Sequence, residues 1–585
     1  MVVVERIHLP AEDAMELREV TPYVVIRFPD NTTCAEDIPE EEPLHGHFLR
    51  YKWYCKAICS IHPSERAKLQ CVACTKAKIH IAKSYHCSSR CFEESWPHHR
   101  VLHEEAASVL NEKGDSSSGT TAYPIAVTHK DNETWYEVGH SKFYIPATAD
   151  IGNVLKFECV VVNAETKLSG HAKSKLTSRV IPAPSPTPRR LISVGDSGAR
   201  ISSDLTFSVL SYNILSESHA TFDLYGYCPY WALCWSYRGQ KLLREIAGYH
   251  ADIVCLQEVP KDHFEEFAQE LDKYGYEVLF RRKSTEVLTG NENTIDGCAT
   301  FFHKDKFSLV KKYELEFNNF AQSFTDATFP AAERKNALKR MVKDNVALVL
   351  VLEAKFSPQG SNSLGKRQLV CVVNTNVYLP EELTDVKFWQ VHTIVKGLEK
   401  IATSANIPIV VCGDLNSFPG SAPHALLARG RVAPNHPDMA VDPLGILQHL
   451  SNMTHNLPLV SAYSSFARTP AGPAPENQRK KMDLTTNEPL STKWSKGFPE
   501  TCDYIFYSAD SLRVEGLLDL LDNDRLTNLP SPEWPSNHIA LLAVFSCKAK
   551  KKTLTPGDSL MSSMNTEQHP EEVQTPENVQ TPKSK

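Results

Sequence analysis

No apolar run in this chain is long enough to span a bilayer. The N-terminus, Met1-Val2-Val3-Val4-Glu5-Arg6, meets an acid before any secretory apolar core can form. The expected protein is soluble and intracellular. An excess of one charge is also missing: 63 Lys and Arg stand against 70 Asp and Glu, a net charge of −7. That balance argues against binding nucleic acid by bulk charge and leaves room for a local basic groove. Composition is ordinary for globular proteins, with 42% hydrophobic and 23% charged residues. A chain of 585 residues is too long for one core and is expected to hold two or more domains.

Cysteine is present but clustered: of sixteen, six fall between Cys55 and Cys91. Four ligand pairs follow one another in residues 51–106: Cys55-x3-Cys59, Cys71-x2-Cys74, Cys87-x3-Cys91 and His99-x3-His103. Thiolate and imidazole suit zinc, and short spacings let one turn supply two ligands, so eight candidates fit two tetrahedral ions. A segment with few large apolar residues needs such a staple. The bland alternative is a set of unrelated buried cysteines. Tyr85-His86-Cys87, Cys91, Trp96 and His99 resemble the second half of a MYND-type zinc finger. The resemblance implies that the first and third pairs share one zinc and the second and fourth the other. It also implies a module that docks onto proline-rich peptides, with no open coordination position for catalysis. Two departures stand out. Cys55-x3-Cys59 is one residue longer than the usual first pair, and His103 replaces a cysteine.

Around the finger the chain is less informative. Residues 1–50 carry a strand-like run, Thr21 to Phe28, and an acidic loop, Asp37 to Glu42. Residues 122–180 alternate in the manner of a small β module. Pro182-Ala183-Pro184-Ser185-Pro186-Thr187-Pro188 predicts a stiff extended linker over 181–202. Residues 549–585 are polar and rich in Pro, Thr and Glu, and are expected to be disordered.

Residues 203–548 hold the chemistry. Ile407 to Val411 reads as a buried strand that ends in Cys412-Gly413-Asp414-Leu415-Asn416. At extended spacing Asp414 and Asn416 face the same way, a carboxylate beside a carboxamide, and Gly413 lets backbone approach closely. Taken alone, Asp-x-Asn after a strand is also ordinary turn chemistry. Other polar residues terminate other apolar runs: Asn213, Glu258, Asp503 and His538. Strands and helices mix without a strict βαβ repeat, which predicts two packed sheets flanked by helices.

This order of strand-end residues resembles the exonuclease–endonuclease–phosphatase superfamily, to which DNase I belongs, through Asn213, Leu256-Gln257-Glu258, Gly413-Asp414-x-Asn416 and Ser536-Asn537-His538. Ser211 to Ser216, Tyr227 to Arg238, Asp296-Gly297-Cys298-Ala299 and Ser531-Pro532-Glu533-Trp534 narrow the resemblance to the carbon catabolite repressor 4 deadenylases. The finger resembles the plant-type branch. The resemblance implies an α+β fold, a four-layered sandwich of DNase I type. It implies a Mg²⁺-dependent 3′-to-5′ exoribonuclease that shortens poly(A) tails, in cytoplasm and nucleus, with the finger docked on a second deadenylase subunit. Glu258 would hold Mg²⁺, with two ions in all. Asp414 would position or deprotonate water, Asn416 and Asn213 would hold phosphate and Asp414, and His538, oriented by Asp503, would contact the phosphate. Phe498 matches a position that stacks on the base, with Pro380 close to a family proline on the other side, and Asn345 matches an asparagine near the cleft. The basic run Arg334, Lys335, Lys339, Arg340 and Lys343 is either a guide for phosphates or a solvated face.

One position departs from the family. At Asn374-Thr375-Asn376 the family reads histidine in place of Asn376. Asparagine donates a hydrogen bond but cannot carry charge. Activity is expected to survive at a reduced rate. The alternatives are a slow scaffold that recruits a second deadenylase through its finger, or another phosphoesterase of the same superfamily.

Overall fold

The computed structural model describes residues 2–548 apart from 63, 78, 80, 113–125, 129–132, 195–204, 284–294, 356–367, 379, 381, 406, 451–452, 469–472, 496 and 523–526. The 549–585 tail therefore lies outside the described residues. Among the described residues no helix is long and apolar enough to cross a membrane.

The N-terminal half does not divide as the sequence suggests. Strands β1 (Val3–His8), β2 (Tyr23–Arg27) and β3 (Thr33–Cys34) form one sheet. The next strand, β4 (His47–Lys56), leads into the finger, made of β5 (Leu69–Gln70), α1 (Val72–Lys76), β6 (Tyr85–His86) and α2 (Ser89–Glu112). Beyond it come β7 (Ala126–Thr128), β8 (Thr134–Gly139), β9 (Val154–Asn163) and β10 (Lys173–Arg179). These last four pair with β4 in the order β10-β9-β4-β8-β7. One apolar cluster, from Val4 and Ile26 to Trp53, Phe157 and Val162, joins both sheets. So the expected 1–50 segment and 122–180 module are one domain, and the finger is an insertion between β4 and β7. The reason is burial: β4 alternates toward this core, and its long-range partner β9 is needed to cover it.

The described part of the expected 181–202 linker, residues 181–194, is likewise part of the next domain. Its strand β11 (Leu191–Ser193) pairs with an edge of the first catalytic sheet. The buried Arg189 guanidinium donates to the carbonyls of Asp519 at 2.6 and 2.9 Å and of Ala540 at 2.6 Å. Glu16 seals the junction: it accepts from Thr148 Oγ1 at 2.7 Å, from the Ala183 amide at 3.1 Å and from Arg244 at 2.8 Å.

The large domain follows as β12 (Thr206–Asn213), α3 (Tyr230–Leu233), α4 (Trp235–Gly248), β13 (Ile253–Pro260), α5 (Lys261–Asp272), β14 (Tyr276–Arg282), β15 (Asp296–His303) and β16 (Phe307–Glu316). Then come α6 (Phe317–Thr328), α7 (Ala331–Met341), β17 (Val346–Ala354), β18 (Leu369–Asn376), α8 (Thr384–Ala405), β19 (Ile409–Asp414) and α9 (Ala422–Arg429). The end comprises β20 (Leu459–Ser461), α10 (Ser465–Arg468), α11 (Pro473–Arg479), β21 (Lys493–Ser495), β22 (Phe498–Glu500), β23 (Asp503–Ser508), β24 (Leu512–Leu518) and β25 (Leu541–Cys547). A seven-stranded sheet, β11-β24-β25-β12-β13-β15-β14, faces a six-stranded one, β16-β17-β18-β19-β23-β20.

Side-chain alternation builds the layers. On β13, Ile253 and Cys255 enter the core between the sheets, while Val254 and Leu256 meet α4 and α5 outside. On β18 and β19, Val372, Val410 and Cys412 face inward, and Val373 and Val411 meet α8 and α9. Strands buried on both faces read as continuous apolar runs. The result is the expected four-layered α/β sandwich.

Candidate active site

Two sheets end together on one side of the sandwich, and register decides what meets there. On the six-stranded sheet, Asp414 closes β19, opposite Asn376 at the end of β18 and opposite Asp503 at the start of β23. On the other sheet, Asn213 closes β12 opposite Gln257. Between Leu256 and Val259 the pairing of β13 with β15 slips, and Glu258 sits in that bulge with φ +58°. A bulge re-aims a side chain, and a positive φ at glutamate must be held by its bonds. Gly413, at φ +152°, allows the tight pairing of β19 with β18; a Cβ there would lie 2.0 Å from the Thr375 carbonyl oxygen.

Asn213 links the sheets. Its Nδ2 donates to Glu258 Oε1 at 2.9 Å and to Asp414 Oδ2 at 3.0 Å, with the side chain fully buried. Glu258 Oε2 accepts from the Ser216 amide at 3.0 Å and from His219 Nδ1 at 2.9 Å. Burial works against its charge, but His219, Lys283 and Asn213 hold it well below the ordinary glutamate range. The loop carrying Ser216 and His219 is fixed by Arg238, which donates to the carbonyls of Leu233, Ile214, Leu215 and Pro535 at 2.9–3.1 Å. That explains the Tyr227 to Arg238 text in the sequence. Beneath the site Gln257 Nε2 donates to Asn374 Oδ1 at 2.8 Å, a polar tie across the core.

Asp414 is fully buried. Burial and the Asp503 carboxylate raise its pKa, against the pull of His538 and Lys493. Its Oδ1 accepts from the Asn416 amide at 2.8 Å. His538 Nδ1 lies 2.8 and 3.1 Å from the two Asp503 oxygens, and its Nε2 is 3.8 Å from Asp414 Oδ2. Burial alone would lower the imidazole pKa; Asp503 and Asp414 raise it instead. Thr492 Oγ1 donates to Asp503 at 2.7 Å. Asn416, at φ +43°, donates from Nδ2 to Asn376 Oδ1 at 3.1 Å and to the Val377 carbonyl at 2.8 Å. Asn345 Nδ2 donates to the Asn376 carbonyl at 2.9 Å.

Eight of the expected residues therefore meet in one network: Asn213, Glu258, Asn345, Asn376, Asp414, Asn416, Asp503 and His538. Phe498 stands apart on the β21–β22 hairpin, 71% exposed, where a flat ring is free to stack. Pro380 is half-buried on the loop after β18 and outside the hydrogen-bonded network. The basic run is divided. Arg340 makes a bidentate pair with the buried Asp385 at 2.7 and 2.9 Å, and Arg334 donates to the Phe329 carbonyl, so these two are spent on the fold. His219, Lys283, Thr492 and Lys493 belong to the site and were not anticipated. Each lies outside a motif, and only the fold brings it in.

The site suits a hard divalent cation. Its buried donors are carboxylate and amide oxygens, and Glu258 and Asp414 converge on one amide nitrogen. An anionic centre of this kind can hold a cation and a phosphate together.

The finger forms two groups, with one correction. Cys59, His62, Cys87 and Cys91 converge, as do Cys71, Cys74, His99 and His103. Cys55 is not a ligand: it lies in β4, fully buried, with its thiol toward the Lys56 carbonyl. His62, three residues past Cys59, takes its place, and this removes the over-long first pair. His62 Nδ1 is 3.8, 3.5 and 3.4 Å from Cys59, Cys87 and Cys91 Sγ, and the Cys59–Cys91 sulfurs are 3.6 Å apart. Zinc bond lengths give tetrahedral edges of about 3.5–3.8 Å, so the donors fit that ion. The second group has edges of 3.1, 3.8 and 3.5 Å, with His99 and His103 one turn apart on α2.

The sequence profile of the endonuclease/exonuclease/phosphatase family matches residues 210–538. Carbon catabolite repressor protein 4 homolog 1 of Arabidopsis thaliana is 56% identical, covering 94% of this chain and 99% of that protein. Its homolog 2 is 54% identical over 94% and 100%. A protein of Yarrowia lipolytica, named as the CCR4-Not complex 3′-5′-exoribonuclease subunit Ccr4, is 32% identical over 59% of this chain and 48% of its own length. With this identity over almost its full length, the chain belongs to the endonuclease/exonuclease/phosphatase family and, within it, to the carbon catabolite repressor protein 4 homologues.

Proposed function

We propose that this protein is a divalent-metal-dependent 3′-to-5′ exoribonuclease that shortens poly(A) tails of messenger RNA as a subunit of a deadenylase complex, in cytoplasm and nucleus. The observation that carries the reading is Asn213 tying Glu258 and Asp414 into one buried centre beside the Asp503–His538 pair. Glu258 holds the cation, Mg²⁺ by its oxygen donors. When bound, that ion supplies polarisation of the phosphoryl oxygens and charge for the departing 3′-oxygen. Asp414, its pKa raised by burial and by Asp503, orients water for in-line attack and accepts its proton. His538, its pKa raised by Asp503 and Asp414 against burial, donates to a phosphate oxygen. Asn416 and Asn345 hold Asn376 in place at the edge of the phosphate site. Phe498 stacks on the terminal base, a contact every base can make; Pro380 supports the base from its other side.

Two zinc ions staple the finger, which docks onto a proline-rich segment of a second deadenylase subunit. Asn376 supports a second reading, a slow enzyme whose main work is recruitment. The test uses 5′-labelled RNAs that end in oligoadenylate or oligouridylate. Shortening of the adenylate tail from its 3′ end with release of AMP, and sparing of the uridylate tail, is the expected result. Equal degradation of both tails contradicts adenylate specificity; no degradation of either favours the recruiting reading.

A further inference from the structure

Lys493 is a buried cation that the fold does not use. It opens β21 with 6% of its surface exposed. Its surroundings are fixed: Ser491 Oγ donates to its carbonyl at 3.0 Å, Thr492 is bonded to Asp503, and its backbone bridges to His538. The Asp414, Glu258 and Asp503 carboxylates are the charges it feels. Burial alone would lower its pKa; these groups hold it above the ordinary lysine value. Yet among the described residues its amine donates no hydrogen bond and lies within 4.0 Å of no carboxylate oxygen. The ammonium is not sealed in the core: its stem is buried and its tip reaches the cleft, where its donors are open to an anionic ligand.

The other cations at the site are committed. His219 is bonded to Glu258, Lys283 to Asp296 and Lys387 to the Asn416 carbonyl, while His538 is tied to Asp503 through Nδ1 and keeps Nε2 for the phosphate. Asn376, opposite Asp414 at the end of β18, stands where the resemblance implies a histidine that contacts the scissile phosphate, so that flank of Asp414 offers no positive contact. Lys493 rises on the opposite flank, beside His538.

We propose that the Lys493 ammonium binds the non-bridging oxygens of the scissile phosphate and supplies the positive contact that asparagine cannot make at 376. An ammonium is a point charge with three donors and needs no particular approach angle to do this. The proposal rests on the nuclease reading for the identity of the phosphate. Lys493 is then a catalytic residue, and the chain offsets one lost cation with another.

The test compares Lys493→Gln and Lys493→Met with wild type, each with and without Asn376→His. On oligoadenylate RNA with Mg²⁺, loss of a charge-assisted contact lowers kcat/KM about 100-fold. Asn376→His restores at least about tenfold in the Lys493→Gln background and gains much less in wild type, as coupled groups do. A second readout is affinity for AMP against adenosine, both measured with Mg²⁺ by calorimetry. Lys493→Gln weakens AMP by about tenfold and leaves adenosine unchanged. Equal loss for both ligands, or for neither, overturns the proposal. So does a faster Lys493→Gln enzyme, which would make the lysine a competitor of the metal. Failure of wild type to shorten RNA sinks the nuclease reading instead, and the AMP–adenosine difference still decides the role of Lys493.

Discussion

The finger makes a discriminating prediction. His62→Ala removes one of four donors from the Cys59, His62, Cys87 and Cys91 group, whereas Cys55→Ala removes none. Structural zinc in such modules is worth about 10–16 kcal/mol, so one ligand of four carries roughly 3–4 kcal/mol. At 1.4 kcal/mol per decade that is a weakening of a few hundredfold. Cys55→Ala instead leaves a sulfur-sized gap in the β4 core, at about 1 kcal/mol of stability. The assay is zinc content per chain by mass spectrometry after dialysis against a chelator of intermediate strength. Wild type and Cys55→Ala retain two ions, and His62→Ala retains one. Zinc lost from Cys55→Ala and kept by His62→Ala would refute the assignment and restore the pairing expected from spacing.

Gly413→Ala drives a methyl into the Thr375 carbonyl, so β18 and β19 must part; stability falls by about 3 kcal/mol or more, seen as a lower Tm. Phe498→Ala raises KM for oligoadenylate by roughly tenfold to a hundredfold with kcat and Tm unchanged, because the ring is exposed and contributes only stacking. Asp503→Asn removes the partner that raises His538. A raised imidazole stabilises the fold fully below its unfolded pKa of about 6.5 and loses that contribution as pH rises through the folded value. The stability gap between variant and wild type is therefore widest in acid and narrows toward alkaline pH in chemical denaturation. The alkaline limb of kcat/KM moves to lower pH in the same variant.

Much of the catalytic domain was legible because its strands are buried on both faces. Ile253 to Leu256 and Ile407 to Val411 read as strands without ambiguity, and a polar residue at each end marked where the cleft opens. The six-stranded sheet's edge was not legible: the register of β16 slips between Leu309 and Lys311, so the alternation begun by Phe307 and Leu309 breaks, and Lys311, Lys312 and Glu314 are exposed. The N-terminal domain was misdivided because β4 pairs with β9 across the inserted finger, a contact without local trace. His62 escaped notice because Cys55 offered a plausible partner for Cys59, and only burial in β4 rules that thiol out. Lys493 and His219 sit in no motif. They matter because strand pairing carries Lys493 beside His538 and the Arg238-fixed loop carries His219 to Glu258.

In the proposed function Glu258 anchors a metal-dependent attack at the 3′ end of an adenylate tail. The most direct measurement is a Mg²⁺ titration of tail shortening on 5′-labelled oligoadenylate RNA, with wild type beside Glu258→Ala. The expected result is a ladder that shortens from the 3′ end, saturates with Mg²⁺ in wild type and is absent from Glu258→Ala at every concentration. Shortening by Glu258→Ala with the same Mg²⁺ dependence as wild type would contradict it.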